Sequence, residues 1–320
     1  MRKTMLGVVL LVGAPVLAQQ PVCPAAGPGT PETKLDCPWA GIVRLMETAV
    51  SLEQPVLPLL EKHAPGLLAQ MRRDARSNEI QLLWGRSLNF DEGAKKTILN
   101  RSIYDTLAAL IGVARQEGDA VHAGAEHTYG YLLSNLDTPF GYKRARWVEP
   151  DINAGFGFAE REISPAPDAG TLLSNLTVFA GRIAFRGDSS CLRMLDAIPA
   201  AATVRDFNFA SLSVIRLVET VVVAERTVEL RTDLAMFPNP QTKTQALLIY
   251  SVKDSAEPGA RLISAFPVAG DFVARIGKPG NAGSGKKIKT RYNAFVKGIT
   301  GADFTGEVKL LVFGGPVPPR

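Results

Sequence analysis

The sequence predicts an α+β protein in which a mainly helical amino-terminal region precedes a mainly antiparallel β-sheet region. Three observations predict this class. Before residue 118 apolar residues recur at spacings of three and four, beyond about residue 140 the apolar period shortens toward two, and helices and strands do not alternate along the chain. Because a parallel βαβ sheet requires such alternation, segregated helices and strands favour an α+β arrangement.

Length and composition are those of an ordinary core-forming protein. The chain has 320 residues, of which 46% are hydrophobic and 21% charged, and its formal net charge is +5. This composition excludes a collagen, a coiled coil and a mainly disordered chain, and three cysteines are too few for a disulfide scaffold. The length corresponds to about two domains of the usual size.

The first 18 residues have the pattern of a signal peptide. Arg2 and Lys3 precede an apolar run over 5–17, and Val16-Leu17-Ala18 offers a cleavage site before Gln19. The run is shorter than the roughly 20 residues that span a bilayer. We therefore expect an exported protein, periplasmic or extracellular, with no transmembrane segment in the mature chain.

Residues 19–38 are rich in Pro, Gly and Ala without periodicity, which predicts a mobile leader. In an oxidising compartment Cys23 and Cys37 can close a short loop, which leaves Cys191 as a buried thiol. A Cys37–Cys191 bridge with Cys23 free is the alternative, since connectivity cannot be read from sequence.

The mainly helical region is assigned to 39–163. One apolar stripe predicts a first helix that ends near Pro55, and a second predicts a longer helix over 93–117. In the longer helix, Asp91 and Glu92 would lie at the positive end of the dipole and Gly118 would end the helix. The stripe of the first helix is Ile42, Leu45, Met46, Ala49 and Val50, and that of the second is Leu99, Ile103, Leu107, Leu110, Ile111 and Ala114.

The β-rich region is assigned to 171–320, after a Pro-rich linker at 164–170. Branched and aromatic runs bounded by Gly and Pro predict five strands, at 221–230, 244–252, 262–268, 288–296 and 308–313. Residues 130–136 and 170–176 share the pattern Gly-x-Leu-Leu-Ser-Asn-Leu, which is compatible with either a duplication or coincidence.

A polar segment with two histidines is the first candidate site. His122 and His127 are five positions apart, about 500 degrees around a helix, so they do not form the one-turn pair of a helical zinc site. If the segment bends at Gly124, His127 can exchange a proton with Glu126 or Asp119. This predicts a secreted hydrolase with catalytic residues His127, Glu126, Asp119 and Tyr129, and with no metal ligands.

Two short motifs do not supply a reaction. Residues 280–286 match the start of a phosphate-binding loop, but Lys287 replaces the required Ser or Thr, and a predicted strand follows in place of a helix. The chain contains no Gly-x-Ser-x-Gly motif, which disfavours an ordinary esterase. No cofactor is assigned.

Basic residues close to aromatic ones form the second candidate site. Residues 275–320 contain nine basic and two acidic residues, and basic side chains alternate along the predicted strand 288–296. Such a face suits an anionic lipid head group or an acidic glycan, although the same pattern also protects an exposed sheet edge. The predicted ligand-binding residues are Lys143, Arg144, Arg146, Trp147, Lys287, Lys289 and Arg291.

The sequence thus supports two functions of different kinds. The first is an exported protein that binds an anionic envelope or extracellular ligand through a basic surface flanked by aromatic residues. The second is the hydrolase centred on His127. Whether the chain is an enzyme is left open at this stage.

Overall fold

The computed structural model describes residues 39–91, 94–111, 120–138, 141–142, 144, 170–223, 226–237, 244–270, 273–274 and 308–313. Within them the fold is α+β, with helices first and an antiparallel sheet last, as the sequence predicted. No helix in these ranges combines the length and apolar character needed to cross a membrane.

Six short helices and two short strands make up the described residues from 39 to 130, together with one π-helical turn. Their apolar faces are buried against one another, and Val43, Met46 and Met71 are fully enclosed. In chain order they are α1 (Trp39–Ser51), α2 (Leu57–His63), α3 (Pro65–Asp74), α4 (Asn78–Leu83), β1 (Arg86–Leu88), α5 (Arg101–Leu110), β2 (Ala120–His122), α6 (Ala123–Ala125) and the π-helix (Glu126–Gly130).

The predicted helix over 93–117 is shorter than expected. It begins at Arg101, where the Asn100 side chain accepts the amide of Ser102, and it ends at Leu110. The side chain of Asn89 bonds both the amide and the carbonyl of Leu99, which holds that residue outside the helix. Asp91 therefore does not lie at a helix end, and the predicted end at Gly118 is outside the described residues.

Three more helices precede the sheet, within the region that the sequence assigned to strands. They are α7 (Leu172–Ala184), α8 (Ser189–Ala197) and α9 (Ala202–Arg205). Helix α7 begins with a reciprocal cap, in which Thr171 and Ser174 bond each other's amides through their hydroxyls. It is buried on nearly every side, and its buried polar side chains, Ser174, Asn175 and Thr177, form hydrogen bonds.

A separate two-stranded pair joins β3 (Asp137–Thr138) to β4 (Gly141–Tyr142). The main sheet has five described strands, β5 (Ser213–Val223), β6 (Arg226–Met236), β7 (Thr244–Asp254), β8 (Ala260–Ala269) and β9 (Val308–Phe313). Their order is β8-β7-β6-β5-β9, with each strand antiparallel to its neighbours. Two strand predictions, 244–252 and 262–268, fall within β7 and β8, and 308–313 coincides with β9.

The predicted strand 221–230 is wrong, because a hairpin divides it. Strand β5 ends at Val223 and β6 begins at Arg226, with Val223 opposite Arg226 in the register. No Gly or Pro lies at this reversal, so the local composition contained no turn signal. The predicted strand 288–296 and the linker 164–170, except Gly170, lie outside the described residues.

The two copies of the Gly-x-Leu-Leu-Ser-Asn-Leu pattern adopt different structures. Residues 130–136 close the π-helix and continue into an irregular segment, whereas 170–176 form the start of α7. Gly170 has a φ of +73° directly before the Thr171 cap, a role that Gly130 does not share. The pattern thus does not correspond to a repeated structural unit.

Helices and sheet share one hydrophobic core. The continuous cluster of buried side chains runs from Ile42 in α1 to Val268 in β8, and α7 contacts β6, β7 and β8. Cys191 of α8 belongs to this core as a free, buried thiol, and burial raises its pKa. Cys23 and Cys37 are outside the described residues.

Candidate active site on the π-helix

The π-helix that carries His127 is positioned by a close contact with the helix layer. Gly124 lies against Trp84, so that a Cβ at this position would come within 2.7 Å of the indole ring. Trp84 is itself fixed by a 2.8 Å hydrogen bond from its Nε1 to the Thr177 hydroxyl of α7. The small residues of α6 therefore let the segment approach Trp84 closely and turn toward β8.

His127 meets polar side chains at both ring nitrogens. Its Nε2 lies 3.0 Å from Oε2 of Glu126 and 3.4 Å from the hydroxyl of Ser87. Its Nδ1 lies 3.2 Å from the hydroxyl of Ser264, in β8. The contact with Glu126 is a charge contact at ion-pair distance, and the Ser264 hydroxyl lies within hydrogen-bond distance of the other nitrogen. A nearby negative charge favours a proton on Nε2, which leaves Nδ1 as the basic nitrogen.

Aromatic rings fix the plane of the imidazole. Tyr131 stacks on His127 at a centroid distance of 5.8 Å and Phe266 at 6.2 Å. Phe266 follows Ser264 by two positions, so both side chains point to the same face of β8. The Tyr131 hydroxyl donates a 2.7 Å bond to Asp91, which also accepts the amide of Ala94 and so anchors the ring.

The cluster is shielded from water except at the histidine. Glu126 is 1% exposed and Ser264 2% exposed, whereas 13% of the His127 side chain reaches solvent. Buried charges and dipoles interact strongly because the surrounding dielectric is low. The ring is thus the accessible member of a sheltered polar group.

Tyr129, the fourth residue predicted for this site, faces the opposite side of the π-helix. It is fully buried, and its hydroxyl donates a 2.7 Å bond to Asp74 at the end of α3. The Thr171 hydroxyl donates a second bond to Asp74. Asp74 therefore connects α3, the π-helix and the start of α7.

Asp74 also lines a cavity of about 300 Å³. Burial raises the pKa of its carboxyl to about 7, although the hydrogen bonds from Thr171 and Tyr129 and the nearby Arg73 oppose the rise. Burial and the neighbouring Asp74 likewise hold the pKa of Tyr129 well above its usual value. The cavity walls are formed by Arg73, Asp74, Ser77, Ile80, Gly170, Thr171, Ser174 and Pro199.

His122 has a local structural role. Its Nδ1 accepts the amide of Ala125 at 3.2 Å, which caps α6, and burial lowers its pKa to about 4. The imidazole is therefore neutral near pH 7. No group of three or more His, Cys, Asp or Glu side chains that could hold a metal ion is present among the described residues.

The residues predicted for the basic surface lie almost entirely outside the described ranges. Arg144 is the one of them that is described, and its side chain is buried. It is 4% exposed, and its guanidinium donates to the carbonyl of Ser134 and to the side chain of Asn135. The other predicted residues, Asp119, Lys143, Arg146, Trp147, Lys287, Lys289 and Arg291, are not among the described residues.

Sequence reasoning missed Ser87, Ser264 and Asp74. Ser264 is a hydroxyl inside the apolar run 262–268, which is a weak signal on its own. Asp74 follows two arginines at the end of a helix and has the appearance of a solvated charge. Each comes close to the π-helix only through tertiary packing.

Comparisons with known proteins add no relative. No protein-family model, no curated protein and no solved structure matches this chain.

Proposed function

We propose that the protein is an exported hydrolase in which His127 is the general base and the hydroxyl of Ser264 is the nucleophile. The observation that carries the proposal is the position of Ser264 and Glu126 at opposite nitrogens of one imidazole, at 3.2 and 3.0 Å. Nucleophile, base and orienting carboxylate are the three parts of a hydrolytic triad.

The geometry suggests a role for each group. In this proposal the negative charge of Glu126, 3.0 Å from Nε2 of His127, favours a proton on that nitrogen, and the lone pair of Nδ1 then faces Ser264. Nδ1 takes the hydroxyl proton as the Ser264 oxygen attacks a substrate carbonyl, and the imidazolium then returns that proton to the leaving group. A water activated by the same nitrogen releases the acyl group and restores the serine.

The substrate class that follows is a carboxylic ester or amide. Tyr131 and Phe266 provide rigid apolar surface beside the ring, and Ser87 lies near the nitrogen that Ser264 does not use. Ser87 therefore offers a matched control, since it is a buried serine next to the same imidazole.

The experiment is labelling of the full mature chain with a fluorophosphonate probe, which reacts with activated serines. We expect the probe on Ser264, with labelling abolished in Ser264→Ala and reduced at least 100-fold in His127→Ala, the usual scale of general-base catalysis. Ser87→Ala should retain labelling. A probe found on Ser87, or labelling that survives His127→Ala, would refute the assignment.

Export is part of the same proposal and depends on the signal-like residues before Gln19. Expression of the full chain in a secreting bacterial host should give material that begins near Gln19 and contains at most one intramolecular disulfide. Intact-mass analysis before and after thiol alkylation measures both. Retention of Met1 in exported material, or three reduced thiols after periplasmic expression, would contradict it.

Binding of an anionic lipid head group or acidic glycan remains a separate prediction. It rests on the alternation of basic residues around Lys289 and on the basic and aromatic residues at 143–147, of which Arg144 is buried.

A further inference from the structure

The π-helix joins two groups of buried polar side chains. His127 contacts Glu126 through Nε2 and Ser264 through Nδ1, and Tyr129, two positions after His127, bonds Asp74 on the other side. The amide of Tyr131 donates to the carbonyl of Glu126. A bond between positions five apart is the spacing that defines a π-helix. Such turns contain one more residue than an α-helical turn and are found mostly at functional sites.

Asp74 is held by donors from two elements. Tyr129 donates from the π-helix, and its hydroxyl also bonds the backbone of Leu173 in α7. Thr171 donates from the start of α7, and its oxygen accepts the amide of Ser174. Both hydroxyls thus link the positive end of α7 to the carboxylate.

Protonation changes what this carboxyl can do. A carboxylate accepts both hydroxyl bonds, whereas a carboxylic acid must use one oxygen as a donor and accepts less strongly. The hydroxyls of Tyr129 and Thr171 are already turned toward Asp74, so a proton on Asp74 weakens at least one of the two bonds. The cavity that Asp74 lines gives that proton a route from solvent.

We propose that Asp74 is a proton-controlled lock that holds the π-helix, and with it His127, in position against Ser264. When Asp74 is ionised, the hydroxyl of Tyr129 is bonded to its carboxylate, and this bond keeps the turn in the π-helical form with its extra residue. With Asp74 protonated, Tyr129 is released and the segment can return to four-residue spacing, which turns its side chains about the helix axis and takes His127 away from Ser264.

The groups that face Asp74 limit how the lock responds. Arg73, next to it on α3, favours the charged form, Tyr129 stays protonated near neutral pH, and Thr171 does not titrate. Burial opposes these effects and leaves the carboxyl with a pKa of about 7. The transition is therefore expected within one unit of neutral pH, with the locked form above it.

The inference rests on the proposed function only for its effect on activity, so its first test avoids activity. In a His127→Gln background, which removes the titration of the ring, backbone amide resonances of residues 126–131 are followed by NMR from pH 5.5 to 8.5. We expect an inflection near pH 7 that disappears in Asp74→Asn and in Tyr129→Phe. Tyr131→Phe is the matched control, because it removes a Tyr–Asp bond from the same segment but not from Asp74.

An inflection that persists in both Asp74→Asn and Tyr129→Phe overturns the lock, as does its loss in Tyr131→Phe. The second test compares fluorophosphonate labelling of Ser264 at pH 6 and pH 8 in the chain that retains His127. If the ratio of labelling at pH 8 to labelling at pH 6 is smaller in Asp74→Asn than in the native chain, the result supports a link between Asp74 and the site. An unchanged ratio contradicts that link. If Ser264 is never labelled but the NMR inflection follows Asp74, the proposed hydrolase fails while the lock stands.

Discussion

At the scale of single residues, this protein keeps several ionisable groups away from water. Asp74 is 1% exposed and is held by two hydroxyls, without a direct ion pair among the described contacts. Hydrogen bonds from neutral hydroxyls do not offset the loss of hydration, and the pKa is raised as a result. A carboxyl kept in this state destabilises the fold at neutral pH, a cost that is common at functional positions.

The residue-scale prediction concerns Asp74→Asn. The pKa of Asp74 is about 7 in the folded protein and 3.8 in its unperturbed state, so the folded state binds the proton more tightly. Between about pH 4 and pH 7 this group therefore lowers the free energy of unfolding as pH rises, by up to about 4 kcal/mol in total. Below pH 4 and above pH 7 its contribution is constant.

Asn cannot titrate, so Asp74→Asn should lose this pH dependence and gain stability relative to the native protein as pH rises from 4 to 7. Urea unfolding at half-unit pH intervals from 4 to 8 measures the difference between the two chains. Asp206→Asn, at an exposed position directly after α9, is the control for the loss of one negative charge. Parallel profiles for Asp74→Asn and the native chain would show that Asp74 titrates normally.

At the scale of elements, the sheet holds α7 by its carboxyl end. Arg216 of β5 donates to both oxygens of Asp233 in β6 and to the carbonyls of Ile183 and Ala184. These carbonyls belong to the last turn of the helix, where a cation also complements the dipole. Burial raises the pKa of Asp233, and the guanidinium of Arg216 opposes the rise.

The element-scale prediction is that Arg216→Met destabilises the protein by about 3 to 5 kcal/mol, because it leaves the Asp233 carboxylate buried without its partner. Guanidinium unfolding monitored by far-UV circular dichroism measures the loss. The double variant Arg216→Met with Asp233→Leu should recover much of it, since no charge then remains buried. A double variant less stable than Arg216→Met would contradict this account.

At the scale of the whole molecule, one core joins the helices to the sheet, and His127 lies where they meet. The π-helix comes after β2 and α6 and faces β8. The imidazole of His127 therefore contacts the amino-terminal half of the chain through Ser87 and the carboxyl-terminal half through Ser264. Residues that are 137 positions apart in sequence thus form one polar group. Clefts between packed layers are frequent places for ligand sites.

The whole-molecule prediction concerns the basic residues that lie in the sequence between β8 and β9, outside the described ranges. Replacing Lys287, Lys289 and Arg291 together by Gln should weaken retention on anionic liposomes or acidic polysaccharide and reduce its salt dependence, because screened Coulomb attraction is the expected source of binding. The prediction takes these three side chains to be exposed, and exposed substitutions usually alter stability by only about 0.5 kcal/mol. Retention is measured across a salt series for both chains.

The matched control replaces the exposed Arg72, Arg76 and Arg193 of the helical part by Gln, which removes the same charge elsewhere. Equal retention of the native chain and the Lys287/Lys289/Arg291 variant would contradict a binding role for these three residues. Equal weakening by the control triple would show a general charge effect without a defined surface.

The sequence by itself determined the α+β class, the first helix and the strands β7, β8 and β9, and it proposed Glu126 or Asp119 as the partner of His127. Each of these follows from side-chain periodicity or from neighbouring positions, which are local properties. The local pattern gave a wrong strand at 221–230, where the apolar run continues through a hairpin. It also did not indicate helix α7, which is buried on nearly every side and lies in the region assigned as β-rich. Only the tertiary structure decided that Ser264 meets His127, that Tyr129 turns to Asp74 and that Arg144 is buried. The reason is that such contacts join positions that are distant along the chain, so their geometry depends on how the layers pack.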